Sequence, residues 1–377
     1  MKNKNVDIYR TLKDEIAVSN YPDGELLPTD LHYAERFQVS RPTVARVMNR
    51  LEKEGVIGRK AGYGTFVIKH KAPILKGKEL TLGLLIPALG ETEIFEPICG
   101  QIANLAESHN FTLLWGGGGT IENRGVNRAI QLAHKYIAKK IDGVFFTPLE
   151  LIPEAAEQNR LIVSMFTKAG IPVVLLDSDI TQPPRMSGYD RIGTNNIEAG
   201  FVIASHLVEQ GCRKIGFVTR RHVASTVHMR LIGAREAILQ AGLKHDKMEE
   251  ILIEGTEEEF VRNTDLRRFD GLICCNDALA APLLVELDKS GVSIPKDMKI
   301  AAFDDVKYAS LIKTPLTTYR QPCLDIGTAA VETMISRIKT PEMAARVVRV
   351  QGKLVARDRK STRLNSSYLV ISYAVFC

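Results

Sequence analysis

Residues 40–67 read SRPTVARVMNRLEKEGVIGRKAGYGTFV, and this stretch decides the fold of the first fifth of the chain. Val44, Val47, Met48 and Leu51 recur at helical spacing, so one side of a helix is apolar. Ser40 stands where it can cap that helix, and Gly55 where it can end it. The opposite side carries Arg41, Thr43, Arg46, Asn49, Arg50 and Lys53, donors suited to phosphates or to base edges in a major groove. Beyond it, Val56-Ile57-Gly58-Arg59-Lys60 and Gly64-Thr65-Phe66-Val67 flank Ala61-Gly62-Tyr63 and predict a two-stranded hairpin, a wing beside the helix.

Upstream, Tyr9, Leu12 and Ile16 predict a first helix over Val6 to Ser19, stopped by Tyr21-Pro22-Asp23-Gly24. A second helix starts near Thr29, which can cap it after Pro28, with Leu31, Ala34 and Phe37 as the inward stripe. Charge agrees with a nucleic-acid role. The chain's net +6 lies entirely in residues 1–78, and residues 41–78 hold 10 Lys/Arg against 2 Asp/Glu.

The motif from Leu26 to Val67, LLPTDLHYAERFQVSRPTVARVMNRLEKEGVIGRKAGYGTFV, resembles the GntR-type winged helix-turn-helix. The resemblance implies that Ser40, Arg41, Pro42 and Thr43 enter a major groove, with Arg46 and Arg50 beside them and Thr29 capping the preceding helix. It also implies that Gly62, Gly64 and Thr65 form the wing. Two departures bear on base preference: Ala45 stands where the family commonly has Arg, with Arg46 one place later, and Tyr63 replaces a basic or small wing residue.

Lys69 to Glu79, KHKAPILKGKE, separates two unlike patterns and reads as a linker. Beyond it, apolar strands alternate with helical patterns: Leu82–Ala88, Thr112–Trp115, Gly143–Thr147, Val173–Asp177, Lys214–Thr219, Leu272–Cys275 and Ile300–Phe303. This is the signature of a parallel sheet covered on both faces. About 280 residues of it predict two lobes with a ligand cleft at the carboxyl ends of the strands. Asp177, Asp179, Asn276, Asp277, Asp304 and Asp305 fall at those ends. Carboxylates and amides there suit vicinal hydroxyls, Arg230 is a candidate fork to two of them, and Phe95 a candidate cover for a sugar face. Asp277 and Asp305 are equally well placed to cap helices.

The motifs RIGTNNIEAGFVIASHLVEQGCRKIGFV, MRLIGAREAI, CNDALA and IPKDMKIAAFDD…PLTTYRQP resemble the LacI/GalR-type effector domain, which is similar to periplasmic sugar-binding proteins, from about Leu80 through Arg357. The resemblance implies sugar contacts by Arg230, by Asn276 or Asp277, and by Asp304, with Gln321 lining the cleft. Asn195-Asn196 replaces a common Asp-Asn pair, a change read as touching packing more than chemistry. A GntR-type reader fused to such a domain resembles the arabinose-responsive repressor subfamily; the sugar itself stays open.

The expected fold is α/β, an N-terminal winged helix-turn-helix plus a two-lobed, periplasmic-binding-protein-like parallel domain. The expected organisation is a DNA-binding domain over 1–68, a linker over 69–79, an effector and dimerisation domain over 80–358, and a tail over 359–377. That tail, RKSTRLNSSYLVISYAVFC, resembles an adapter-derived translation and is expected to be non-native. Six cysteines without a C-x-x-C pair or metal-ligand spacing point to buried thiols and to no metal. Gly116 to Gly119 lack the Lys-Ser/Thr of a phosphate-binding loop and read as a turn. A polar start and the lack of a long apolar run point to a cytoplasmic protein without a membrane partner. The function expected is transcription regulation, with pseudo-palindromic double-stranded operator DNA, a small sugar-like effector and a second copy of the chain as partners, and no cofactor or catalytic residue. A sugar-binding receptor and a sugar-active enzyme are the alternatives.

Overall fold

The computed structural model describes residues 8–9, 11–12, 15–16, 25–53, 56–60, 64–67, 79–87, 93–116 and 126–357. The turn at 21–24, Gly62 with the hairpin turn 61–63, linker residues 69–78, Gly117 to Gly119, Asp358 and the tail 359–377 lie outside the described residues. The chain divides into two compact units, the first running to Glu79 and taking in Glu107–Asn110, the second holding the rest from Leu80. Among the described residues no helix is long and apolar enough to cross a membrane.

The first unit carries α1 (Asp30–Arg36), α2 (Arg41–Lys53), β1 (Ile57–Lys60) and β2 (Gly64–Val67). The strands pair antiparallel, Ile57 opposite Val67 and Lys60 opposite Gly64. Val44, Val47, Met48 and Leu51 are all buried, with Ile8, Leu12 and Ile16 from the upstream helical residues and Ile57 and Val67 from the hairpin. Each such side chain contributes about 1.5–3 kcal/mol on burial, which fixes the phase of α2. The inward stripe of α1 differs from the expected one. Leu31 is exposed, whereas Tyr33 and Ala34 are buried, because Tyr33, Ala34 and Phe37 share one side of the helix and Leu31 falls outside it. Gly64 has φ +120° and lies against Leu26, a conformation that favours glycine.

The second unit has two sheets. The first contains β3 (Leu80–Leu85), β4 (Phe111–Trp115), β5 (Gly143–Phe146), β6 (Val173–Leu176) and β7 (Asp190–Thr194), with helices α3 (Phe95–Asn104), α4 (Val126–Ala138) and α5 (Ala155–Lys168). The second follows α6 (Asn196–Glu209) and contains β8 (Ile215–Thr219), β9 (Met248–Leu252), β10 (Gly271–Cys274), β11 (Lys299–Asp304) and β12 (Thr317–Arg320). Its helices α7 (Ser225–Gln240), α8 (Glu257–Asn263) and α9 (Asp277–Lys289) alternate with these strands. The chain then returns through α10 (Cys323–Lys339) to β13 (Val347–Val350) on the first sheet and β14 (Lys353–Val355) on the second.

The strand orders are β13-β7-β6-β5-β3-β4 and β14-β12-β11-β10-β8-β9. All pairings are parallel except β12 with β14. Each sheet reverses direction of growth beside its first strand, and such switch points open a crevice at the carboxyl ends of the strands. The seven expected strands are present with ends shifted by up to three residues. The strands β7, β9 and β12 to β14 were not anticipated as elements: Asp190-Arg191 opens β7 with charges, β9 carries Glu249 and Glu250 side by side, and β13 and β14 are edges.

A polar cluster at the strand ends and the face of the reader

The second unit's polar cluster begins with two glycines. A Cβ on Gly200 would meet the Arg230 carbonyl oxygen at 1.9 Å, and one on Gly233 would meet the Ile197 carbonyl oxygen at 1.8 Å. Helices α6 and α7 therefore touch backbone to backbone, and Arg230 is brought beside Asn196. Its Nε donates to Asn196 Oδ1 at 2.8 Å and its Nη1 to the Cys275 carbonyl at 2.6 Å. Its Nη2 lies 3.5 Å from Asp304 Oδ1, and the guanidinium sits 4.6 Å over the Phe303 ring. Arg230 is only 4% exposed, so its fork is fixed before any ligand arrives.

Asp304 ends β11 with φ +114°, and Asp177 follows β6 with φ +65°. Positive φ at a residue other than glycine costs about 1–3 kcal/mol and is held only where surrounding structure demands it. Gly193 supplies part of that demand, since a Cβ there would meet the Asp177 carbonyl oxygen at 2.7 Å. Gln321, just past β12, donates from Nε2 to Asp304 Oδ1 at 2.7 Å and accepts at Oε1 from Thr194 Oγ1 at 2.6 Å. Thr194 belongs to the first sheet and Asp304 to the second, so Gln321 ties the lobes together. A second tie is Glu150, whose Oε2 accepts from the Ala224 amide at 2.8 Å.

Three buried side-chain oxygens among the described residues have no hydrogen-bond partner: Thr147 Oγ1, Asp177 Oδ1 and Thr219 Oγ1. Thr219 Oγ1 lies beside the Cys275 thiol but makes no hydrogen bond of ordinary geometry. All three residues end or directly follow a strand, β5, β6 and β8, at its carboxyl end. Unmade bonds of this kind cost about 1–3 kcal/mol each and mark places where a ligand or water completes the set.

Burial raises the carboxyl groups of the cluster. Glu150 is pushed up to about 7 by burial and then by Asp177, Asp304 up to about 6 by burial against the pull of Arg230, and Asp177 is raised by burial. Phe95, expected over a sugar face, is the first residue of α3 and is packed at 3% exposure. Asn276 caps α9, its Oδ1 accepting from the Leu279 amide at 2.9 Å. Asp277 is fully buried, its oxygens accepting from the Val306 amide at 3.0 Å and Thr318 Oγ1 at 2.7 Å, which is the structural one of its two expected roles. Asp305 is held by Arg357 at 2.6 Å and by Arg320, and Asp179 by Thr181 at 3.0 Å.

On the reader, Thr29 Oγ1 accepts from the His32 amide at 3.3 Å, and Ser40 shares a 2.9 Å hydroxyl bond with Thr43. Arg41, Pro42 and Arg46 are exposed along one side of α2, and Arg50 stacks 3.9 Å from the Tyr9 ring centre. Gly64 is exposed, and the Thr65 carbonyl accepts from the Leu27 amide at 2.8 Å. Arg59 of β1 reaches both Asp30 oxygens at 3.0 Å and Asn49 Oδ1 at 3.2 Å. It thereby fastens the hairpin to α1 and α2.

Residues 4–67 match the family of bacterial regulatory proteins, gntR family, and residues 204–361 match a periplasmic binding protein-like domain. The chain joins a gntR-type reader to a periplasmic-binding-protein-like domain. It is 27% identical to the arabinose metabolism transcriptional repressor of Geobacillus stearothermophilus, over 90% of this chain and 93% of that one. The crystal structure of transcription regulator GntR from Chromobacterium violaceum is similar at 26% identity and TM-score 0.59, covering 74% of this chain and 98% of that one. A LacI family regulator from Enterococcus faecium with bound ribose shares the fold, at 22% identity and TM-score 0.57 over 74% of this chain and 97% of that one.

In the periplasmic-binding-protein-like domain, Glu150, Thr147, Thr194, Asn196 and Thr219 were not anticipated. Thr147 and Thr219 were within reach of the rule that already selected Asp177 and Asp304, since each sits at a strand end. Asn196 was read as packing, yet it orients Arg230. Glu150 lies beyond its strand in a loop and carries no periodic signal. A cavity of 850 Å³ elsewhere in this domain has its main polar pair, Arg337 and Asp190, bonded to each other at 2.7 Å.

Proposed function

We propose that this chain is a sequence-specific DNA-binding transcription regulator, a repressor of carbohydrate-metabolism genes, whose DNA affinity is set by a small polyhydroxylated effector held between the lobes. The observation that carries the reading is the convergence of Arg230, Asp304 and Gln321 with the unpartnered oxygens of Thr147, Asp177 and Thr219 at strand ends of both sheets. Guanidinium donors beside carboxylate acceptors suit vicinal hydroxyls, and completing three buried acceptors favours the closed arrangement of the lobes. Arg230, Asp304, Gln321 and Asp177 are the principal contacts, Thr147, Thr219 and Asn276 flank them, and Asn196 positions Arg230.

The reader presents Ser40, Arg41, Pro42, Thr43 and Arg46 to the major groove, with Gly62, Gly64 and Thr65 at the wing. Two copies of the chain bind a pseudo-palindromic operator in the cytoplasm, and closure of the lobes changes the spacing of the readers. The organisation follows: reader over 1–68, linker over 69–79, effector and dimerisation domain over 80–358. The chain acts by binding and not by catalysis, in keeping with the repressors it is similar to. Salt-dependent retention of DNA from upstream of its own gene, altered by a sugar, tests the reading. Sugar binding without DNA retention points to a receptor instead.

A further inference from the structure

The cluster is more acidic than a neutral sugar requires. Glu150, Asp177 and Asp304 interact electrostatically with one another and share the guanidinium of Arg230, while Asp177 also feels Arg191. The next charges outward cancel: Arg191 faces Asp179 before Asp177, and Asp305 is held by Arg357 and Arg320. Asp277 is closed by its own two hydrogen bonds. Four carboxylates, Glu150, Asp177, Asp179 and Asp304, thus face the two guanidinium groups of Arg230 and Arg191, and the two left over in a buried place cost several kcal/mol per ion unless protons or a ligand cation compensate. The acceptors stand open as well, since Asp177 Oδ1 at 7% residue exposure and Thr147 Oγ1 at 4% have no donor.

We propose that the effector seated in this cluster carries a protonated amine among its hydroxyls, as an amino sugar does, the ammonium lying between Asp177 and Glu150. The proposal rests on the reading of the cluster as the effector site. An ammonium brings three donors, no acceptor and a positive charge to a place that offers acceptors in excess, whereas each hydroxyl of a neutral sugar brings one donor with its own acceptor lone pairs and no charge. Arg230 and Gln321 remain for the ring hydroxyls. The carboxyl group of Glu150, pushed up to about 7 by burial and then by Asp177, agrees, because a neighbouring ammonium favours its charged form.

Titration calorimetry of the full chain with D-glucosamine, D-galactosamine and D-mannosamine, their neutral parents, their N-acetyl derivatives, L-arabinose and D-ribose tests this. At least one amine should bind about tenfold or more tighter than its parent and its N-acetyl derivative, the margin of a charge-assisted bond over a neutral one. Glu150→Gln, which keeps an acceptor for the Ala224 amide, should erase that preference. A neutral sugar binding as tightly as every amine, or a preference that survives Glu150→Gln, overturns the amine and leaves the effector site standing. Binding by no compound of either kind overturns both.

Discussion

Arg230 and Asn196 are joined by a 2.8 Å hydrogen bond that exists because two glycines let their helices meet. The bond makes a helix-packing motif orient a buried guanidinium. Without Gly200 and Gly233 the helices would separate, and the fork of Arg230 would leave Asp304.

Gly233→Ala tests that dependence. Its Cβ would fall 1.8 Å from a backbone oxygen, which cannot rotate away. The substitution should destabilise the periplasmic-binding-protein-like domain by about 1–3 kcal/mol, measured as the urea midpoint, and lower effector affinity with it. An unchanged midpoint would mean that the helices are not in backbone contact.

Stability should fall with rising pH across the range where the buried carboxyl groups ionise. Glu150, Asp304 and Asp277 are raised to about 7, 6 and 8, burial being the main cause in each. The folded state holds protons that the unfolded state has released. Their contribution is therefore complete below the usual carboxylate range and is lost as pH climbs through 6 to 8. The ligand-free protein should melt at a lower temperature at pH 8 than at pH 5.5, and Glu150→Gln should flatten the slope. A melting temperature that rises over this interval contradicts the burial of these groups.

Arg41→Ala should weaken specific operator binding by about 1–3 kcal/mol, the worth of one good base contact, while leaving sugar-induced thermal shifts as they were. Fluorescence anisotropy with operator and scrambled duplexes separates the two effects. Equal losses on both duplexes would assign Arg41 to phosphate and not to a base.

Arg59→Ala should act differently, because its guanidinium is spent inside the reader on Asp30 and Asn49. Loss of this half-buried pair costs about 1 kcal/mol or less in stability. Binding to all duplexes should weaken together as the hairpin loosens. A selective loss at one base position would instead place Arg59 at the DNA.

Much of this was legible in the sequence, for identifiable reasons. The apolar phase of α2 is dictated by Val44, Val47, Met48 and Leu51, and the strands that run unbroken through the sheets by apolar stretches such as Val173 to Leu176. Asp177, Arg230, Asp304 and Gln321 were selected by strand ends and motifs, and they come together. What was hidden depends on distant partners. Asp277 looks like Asp304 in sequence, and only the fold brings Thr318 and the Val306 amide to it. Leu31 stands three residues before Ala34, the spacing of a core stripe, and only the packing of the unit shows that the buried side runs through Tyr33 instead. Glu150 gains its role solely from the Ala224 amide, 74 residues away.

The most direct test of the central claim is anisotropy of the full chain on upstream operator DNA, with and without the bound sugar, for the native protein and for Arg230→Ala. Removing Arg230 leaves Asp304 uncompensated at a cost of about 3–5 kcal/mol, so circular dichroism must first establish that the variant is folded. The account predicts that the native protein changes its operator affinity on adding sugar, and that folded Arg230→Ala binds operator as before and ignores the sugar. A folded variant that still responds in full would contradict it.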